Sequence, residues 1–167
     1  SIKDIPQGMP VQRINLGVLV IQASPFCNIN CDYCYLPNRT STVRMDFDVL
    51  RNVMQQVADS GIAQHEFEIL WHAGEPLAVP LKWYEEAFEI IASYEKLKGK
   101  VSHTIQTNGT LINDAWCEFF KKHNVNVGVS IDGPEFIHDA HRVTRKGEGS
   151  FKKAMAGADK LKEHGIG

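Results

Sequence analysis

The chain reads as an α/β protein on parallel strands, and three observations say so. Short apolar or alternating runs of strand length alternate with amphipathic stretches of helix length. The first run, Leu16–Ile21, is apolar throughout, as a strand covered on both faces is. The helical stretches are mostly bracketed by residues that start a helix and glycines that stop one. Strand and helix in strict alternation imply parallel pairing with helical crossovers.

Four such units follow one another. After Leu16–Ile21 comes a long loop, about 22–45, and Asp46 then caps a helix running to about Asp59, stopped by Ser60-Gly61. Glu66–Trp71 is the second strand. Pro80 precedes a second helix, about Lys82 to Lys98, with Gly99 as its stop. Val101–Ile105 is the third strand, and Asn113 caps a helix reaching about His123. Val125–Ser130 is the fourth strand, apolar enough to be central. Ser150 caps a last helix to about Glu163, ended by Gly165. A further strand is expected after Gly165-Ile166-Gly167, so the chain is expected to be part of a longer one. Unpaired sheet edges would then make the isolated chain prone to self-association.

Composition is ordinary for a globular domain: 167 residues, 43% hydrophobic, 23% charged and a net charge of −2. That balance offers nothing to a polyanion, so no nucleic-acid partner is expected. The longest apolar run is too short to span a membrane, and no membrane association is expected. Thiols without an export signal point to the cytoplasm.

The unusual residues all fall just after strands. Ala73-Gly74-Glu75-Pro76 follows the second, Gln106-Thr107-Asn108-Gly109-Thr110 the third, and Ser130-Ile131-Asp132-Gly133-Pro134 the fourth. Parallel strands bring these loops to one sheet edge, where α/β folds bind ligands. Taken singly, Asn108-Gly109 and Gly133-Pro134 are also ordinary turn sequences. Gly74 permits close backbone approach, and Glu75 offers a carboxylate to an ammonium group. His72 reads as a strand-end residue, and His138, His141, Arg142 and Arg145 as surface residues or an anion clamp. Phe26, Tyr33 and Tyr35 either shield a site from water or pack in a core.

After the first strand stand Cys27, Cys31 and Cys34, spaced C-x3-C-x2-C. Three thiolates on one loop can hold three irons of a [4Fe–4S] cubane and leave the fourth iron without a protein ligand. Two other readings compete. A structural zinc site needs a fourth ligand, and Cys117 lies far along the chain in a stretch that reads as core. A disulfide framework would leave an odd thiol. Without a bound metal, no protein contact is expected to hold the loop over 22–45.

The cysteine spacing, with Tyr33 before the last cysteine, resembles the radical S-adenosylmethionine (SAM) superfamily. Ala73-Gly74-Glu75-Pro76 is similar to its Gly-Gly-Glu motif, with alanine in the first place. The runs 106–110 and 130–134, His138-Asp139-x2-Arg142 and Gly147-x-Gly149-Ser150-Phe151 look like its SPASM-type branch. That branch holds anaerobic sulfatase-maturing enzymes and peptide maturases. Cys34-Tyr35-Leu36-Pro37-Asn38-Arg39 most resembles maturases that cross-link ribosomally made peptides, including a cyclophane-forming group with glycine-rich repeat precursors. The resemblance covers Leu16 to Phe151.

The resemblance implies a partial radical SAM (β/α) barrel, with four βα units here and the later strands missing. An N-terminal extension, 1–15, would precede the core, 16–167. Cys27, Cys31 and Cys34 would ligate a [4Fe–4S] cluster whose open iron binds SAM. Reductive cleavage of SAM would yield a 5′-deoxyadenosyl radical that takes hydrogen from a substrate carbon. Gly74 and Glu75 would hold the SAM amino group, Gln106 and Asn108 border its ribose, Ser130 and Arg142 meet its carboxylate, and Tyr33 lie near its adenine. No substrate base is assigned. The partners implied are a precursor peptide and a one-electron donor such as flavodoxin or ferredoxin. The expected function is modification or cross-linking of that peptide. The alternatives are sulfatase maturation, with formylglycine as product, or a non-catalytic cluster- or zinc-binding fragment.

Overall fold

The computed structural model describes residues 14–167, so all of the expected N-terminal extension except its last two residues lies outside them. Four strands, β1 (Val18–Ile21), β2 (Phe67–Trp71), β3 (Val101–Thr107) and β4 (Asn126–Val129), form one sheet in the order β1-β2-β3-β4. Every pair is parallel. The helices are α1 (Phe47–Ser60), α2 (Leu81–Ala92), α3 (Asp114–Lys122), α4 (Glu135–His141) and α5 (Phe151–Glu163). The sequence expectation of an α/β fold from four parallel units holds, and so do the Asp46 and Asn113 caps.

Register decides which side chains share a face. Val18 pairs with Glu68, and Val20 with Leu70, so these point to one side. Ile21, Trp71 and Ile105 point to the other, where the helices cover them. That covered side is aromatic. Trp71 is stacked on Phe88 and meets Trp83 and Tyr84 edge-on, while Trp116, Phe119 and Phe120 continue the cluster from α3. Cys117 is fully buried within it, as its flanking residues suggest.

Three local expectations are corrected, and one helix is added. The first strand is not covered on both faces: Val18 and Val20 are 51% and 58% exposed, because among the described residues the helices cover only the opposite face of the sheet there. The second helix ends at Ala92 rather than near Lys98. Tyr94 turns extended so that its hydroxyl reaches the Arg51 carbonyl, and a 3-10 turn over Glu95–Leu97 then buries Leu97. The short α4 was not read from the sequence, because seven residues after a proline carry too little periodicity. Ser150 does not cap α5 with its side chain. Its hydroxyl turns inward, and Asp139 Oδ1 accepts from the Phe151 N–H instead.

Candidate functional site

The site lies where the strands end. The loop after β1 carries the three thiols, and the turn after β2 packs directly against it. At Gly74 φ is +66°, and a side chain there would strike the Ser24 and Phe26 carbonyls, so only glycine permits this approach. The Glu75 N–H donates to the Phe26 carbonyl at 2.7 Å, one residue before Cys27. Ala73 also sits at positive φ, +73°, a conformation that strains a residue with a Cβ.

Glu75 is 2% exposed and held by three protein donors. Its Oε1 accepts from the Leu77 N–H and the Thr107 hydroxyl, and its Oε2 from the Asn108 N–H at 2.8 Å. Burial pushes this carboxyl up, and the three donors pull it back toward the ionised form. A carboxylate has about four acceptor positions, so three donors leave one on Oε2 unfilled. The side chain thus stitches the β2 turn to the end of β3.

Asn108 makes a second stitch. Its Nδ2 donates to Asn28 Oδ1 at 2.9 Å, inside the cysteine loop, and its Oδ1 accepts from the Thr110 N–H and hydroxyl. Asn28 completes the ring by donating to Thr110 Oγ1. Gln106 donates to Ser130 Oγ at 2.9 Å, and its amide lies against Gly128, where a Cβ would push that amide aside.

Asp132 holds a third set. It accepts from the Tyr33 hydroxyl and, through both oxygens, from Arg142 Nε and Nη2 at 2.6 and 3.3 Å. The Arg142 guanidinium lies 5.5 Å over the Tyr33 ring. Hydrogen bonding from Arg142 holds the Asp132 carboxyl below the ordinary range. Burial and the Asp132 bond both raise the Tyr33 phenol. His138 is buried, not a surface residue as expected. Its Nδ1 accepts from the Asp132 N–H. Ser150 Oγ donates to the Arg142 carbonyl, so it must accept from His138 Nε2–H, which fixes that tautomer. Arg142 and Arg145 are bound to protein oxygens and do not form a bare anion clamp.

One cavity of about 190 Å³ gathers these residues. Cys27, Cys31 and Cys34 line it together with Tyr33, Gly74, Glu75, Gln106, Asn108, Ser130 and Arg142, all seven of the other positions chosen from sequence. A wider cavity, about 620 Å³, lies beside Asn126 and Gly165 and contains no thiol, so it is away from the chemistry. Burial raises the Cys27 and Cys31 thiols, while Arg142 opposes that rise at Cys31. Among the described residues no three His, Cys, Asp or Glu side chains converge tightly enough to chelate one metal ion. A cubane spreads its thiolate-bound irons apart, so its ligands need not converge on a point, and three soft thiols around one cavity fit such a group. Cys117 stands in the core, outside that cavity.

Sequence reading missed Asn28, Thr107 and Thr110 as participants. Each lay inside a motif already noticed, but no local pattern names its distant partner. The loop is also not left to a metal alone: protein bonds hold it at Cys27, Asn28, Asn30 and Asp32. That corrects the expectation that nothing else would.

Among the described residues no helix is long and apolar enough to cross a membrane. Residues 21–167 match the Radical SAM superfamily. An uncharacterized protein of Synechocystis sp. is 44% identical over 154 residues, covering 90% of this chain and 39% of the relative. The serine-type anaerobic sulfatase-maturating enzyme of Bacteroides thetaiotaomicron is 37% identical over 157 residues, covering 90% and 37%. The solved structure of native anSMEcpe with bound AdoMet and Cp18Cys peptide superposes with a TM-score of 0.79 at 30% identity, covering 90% of this chain and 41% of that one. The chain therefore spans about two fifths of the length of the curated relatives it matches. It belongs to the radical SAM superfamily, whose members use a [4Fe–4S] cluster and S-adenosylmethionine.

Proposed function

We propose that the protein carrying this chain is a radical SAM enzyme that removes hydrogen from a side chain of a peptide or peptide segment. The observation that carries this reading is the single cavity shared by the three thiols and the loops after β2, β3 and β4. Cys27, Cys31 and Cys34 would hold the cluster. When bound, cluster and SAM supply a reductively generated carbon radical; the protein's part is ligation, orientation and exclusion of water. Gly74 and the remaining acceptor position of Glu75 would hold the SAM amino group. Gln106 and Asn108 would border its ribose, Ser130 and Arg142 would meet its carboxylate, and Tyr33 would lie near its adenine. A low-potential one-electron donor of the flavodoxin or ferredoxin class and a cytoplasmic location complete the proposal.

The test uses the anaerobically reconstituted full-length protein with a candidate peptide deuterated at one side-chain carbon. Deuterium appearing in released 5′-deoxyadenosine supports hydrogen abstraction from that carbon. Iron uptake without any 5′-deoxyadenosine would favour a non-catalytic cluster module, and zinc in place of iron would sink the reading.

Two outcomes of the same abstraction are distinguished. The residues Cys34–Arg39 favour cross-linking of a ribosomally made peptide. The likeness to sulfatase-maturating enzymes favours oxidation of a serine or cysteine to formylglycine. Cross-linking takes one hydrogen from each of two residues and serine oxidation takes two from one, so both lose two hydrogens and mass alone does not separate them. Capture of the product by a hydrazide reports an aldehyde; fragment ions missing between two residues report a cross-link.

A further inference from the structure

We propose that the segment between β4 and α5 is a clasp that shapes the cysteine loop before any metal binds, with Arg145 and the Asp132–Arg142 pair as its positioning residues. The inference rests on the cluster reading for its purpose, but its geometry is independent of it.

The clasp grips the loop at the neck and at the tip. The neck is where residues 27 and 39 meet, with the Cys27 N–H donating to the Arg39 carbonyl at 3.0 Å. Arg145 closes it: Nε and Nη2 donate to the Cys27 carbonyl at 2.9 and 2.7 Å, and Nη2 also to the Arg39 carbonyl at 2.5 Å. Its guanidinium lies 5.7 Å over the Phe26 ring. One forked cation thus bridges the two ends of the loop, which lysine's single ammonium does less well.

Between neck and tip the two segments pair as strands do. Ile29 bridges Thr144 antiparallel, the Asn30 N–H donates to the Val143 carbonyl at 2.7 Å, and the Asp32 N–H donates to the His141 carbonyl at 3.1 Å. At the tip, Asp132 and Arg142 take Tyr33, which lies between Cys31 and Cys34. The gripped residues therefore flank each thiol in turn. The clasp itself is rooted in the interior, since His138 and Ser150 are each 1% exposed and tie α4 to the Arg142 carbonyl. A loop held this way loses less conformational freedom when a cluster enters it.

The test is hydrogen exchange, read by mass spectrometry on the full-length protein prepared without iron. The readouts are the amides of Cys27, Asn30 and Asp32, all hydrogen-bonded in this arrangement. Arg145→Gln is expected to raise exchange over 27–32 roughly tenfold, since charge-assisted bonds hold the neck. Exchange in β2 and α1 stays unchanged and serves as the folding control. Arg145→Lys restores part of the protection. Tyr33→Phe raises exchange around 31–35 only. After reconstitution, Arg145→Gln is expected to lose iron to a chelator roughly tenfold faster, with Arg145→Lys between it and the parent. Unchanged exchange over 27–35 in both Arg145→Gln and Asp132→Asn would overturn the clasp. A parent protein that takes up no iron, with the exchange differences intact, would overturn the cluster reading and leave the clasp supported.

Discussion

Trp71 and Glu75 stand close together in the chain, both almost wholly buried, yet nothing about their surroundings is alike. Trp71 ends β2 among the rings of Trp83, Tyr84 and Phe88, with its indole N–H donating to His103. Glu75 begins the next turn among Leu77, Thr107 and Asn108, held by directed polar bonds. The first environment rewards area and shape and tolerates any ring that fills the space. The second rewards donor and acceptor placement, and leaves a penalty when one partner is lost. The change from one to the other marks where the fold stops being scaffold and starts being site.

The largest effect is expected at the thiols. Replacing Cys27, Cys31 or Cys34 by alanine should abolish cluster uptake, against about four irons per chain in the parent. Cys117→Ala should keep its iron and lose roughly 1 kcal/mol of packing. Iron and sulfide analysis beside thermal melts checks both, and equal iron loss from Cys117→Ala would break the assignment.

Trp71→Ala probes the apolar side. Removing a fully buried indole should cost about 4 kcal/mol in urea unfolding of the iron-free protein. A cost near that of a surface substitution would mean the ring cluster is not the core's centre.

Glu75→Gln probes the polar side. An amide nitrogen would face one of the N–H or O–H donors that the carboxylate accepts from, so stability should drop by about 2 kcal/mol. SAM affinity should fall while iron content stays. Calorimetric SAM titration and denaturant unfolding are the two measurements; unchanged affinity would discard Glu75 as a ligand contact.

His103 joins the two comparisons, since it lies on the aromatic side but titrates. Burial, with the neighbouring His123 charge second, holds its imidazole down to about 4 from an ordinary 6.5. The unfolded chain therefore takes up the proton first as pH falls. Stability is fully present above pH 6.5 and declines toward pH 4, by about 2 kcal/mol after allowance for partial exposure. Unfolding curves across that window should flatten in His103→Phe; an equal slope in both proteins would assign the decline to other groups.

The smallest effect is a gain. Ala73 occupies the left-handed region at φ +73°, so Ala73→Gly should stabilise the protein by about 1 kcal/mol. A loss on that substitution would show that the methyl group has a packing role of its own.

Much of this molecule was open to reading along the chain. Among the described residues, the strands and four of the five α-helices follow from periodicity and from caps such as Asp46 and Asn113, which act within a few residues of themselves. The long-range polar partners were not readable. Asn28 reaches Asn108 across 80 residues, and Arg145 reaches Cys27 across 118. No periodicity encodes such a pair, because the two residues meet only after the strands have aligned.

By itself, the sequence determined the parallel α/β class, the family and the gathering of three thiols on one loop, since each depends on spacing within a short stretch. Only the tertiary structure decided that Val18 and Val20 face outward, that His138 is buried and that Arg145 closes the cysteine loop. Those outcomes depend on strand order and register, which bring distant segments to one edge and set which atoms face each other there.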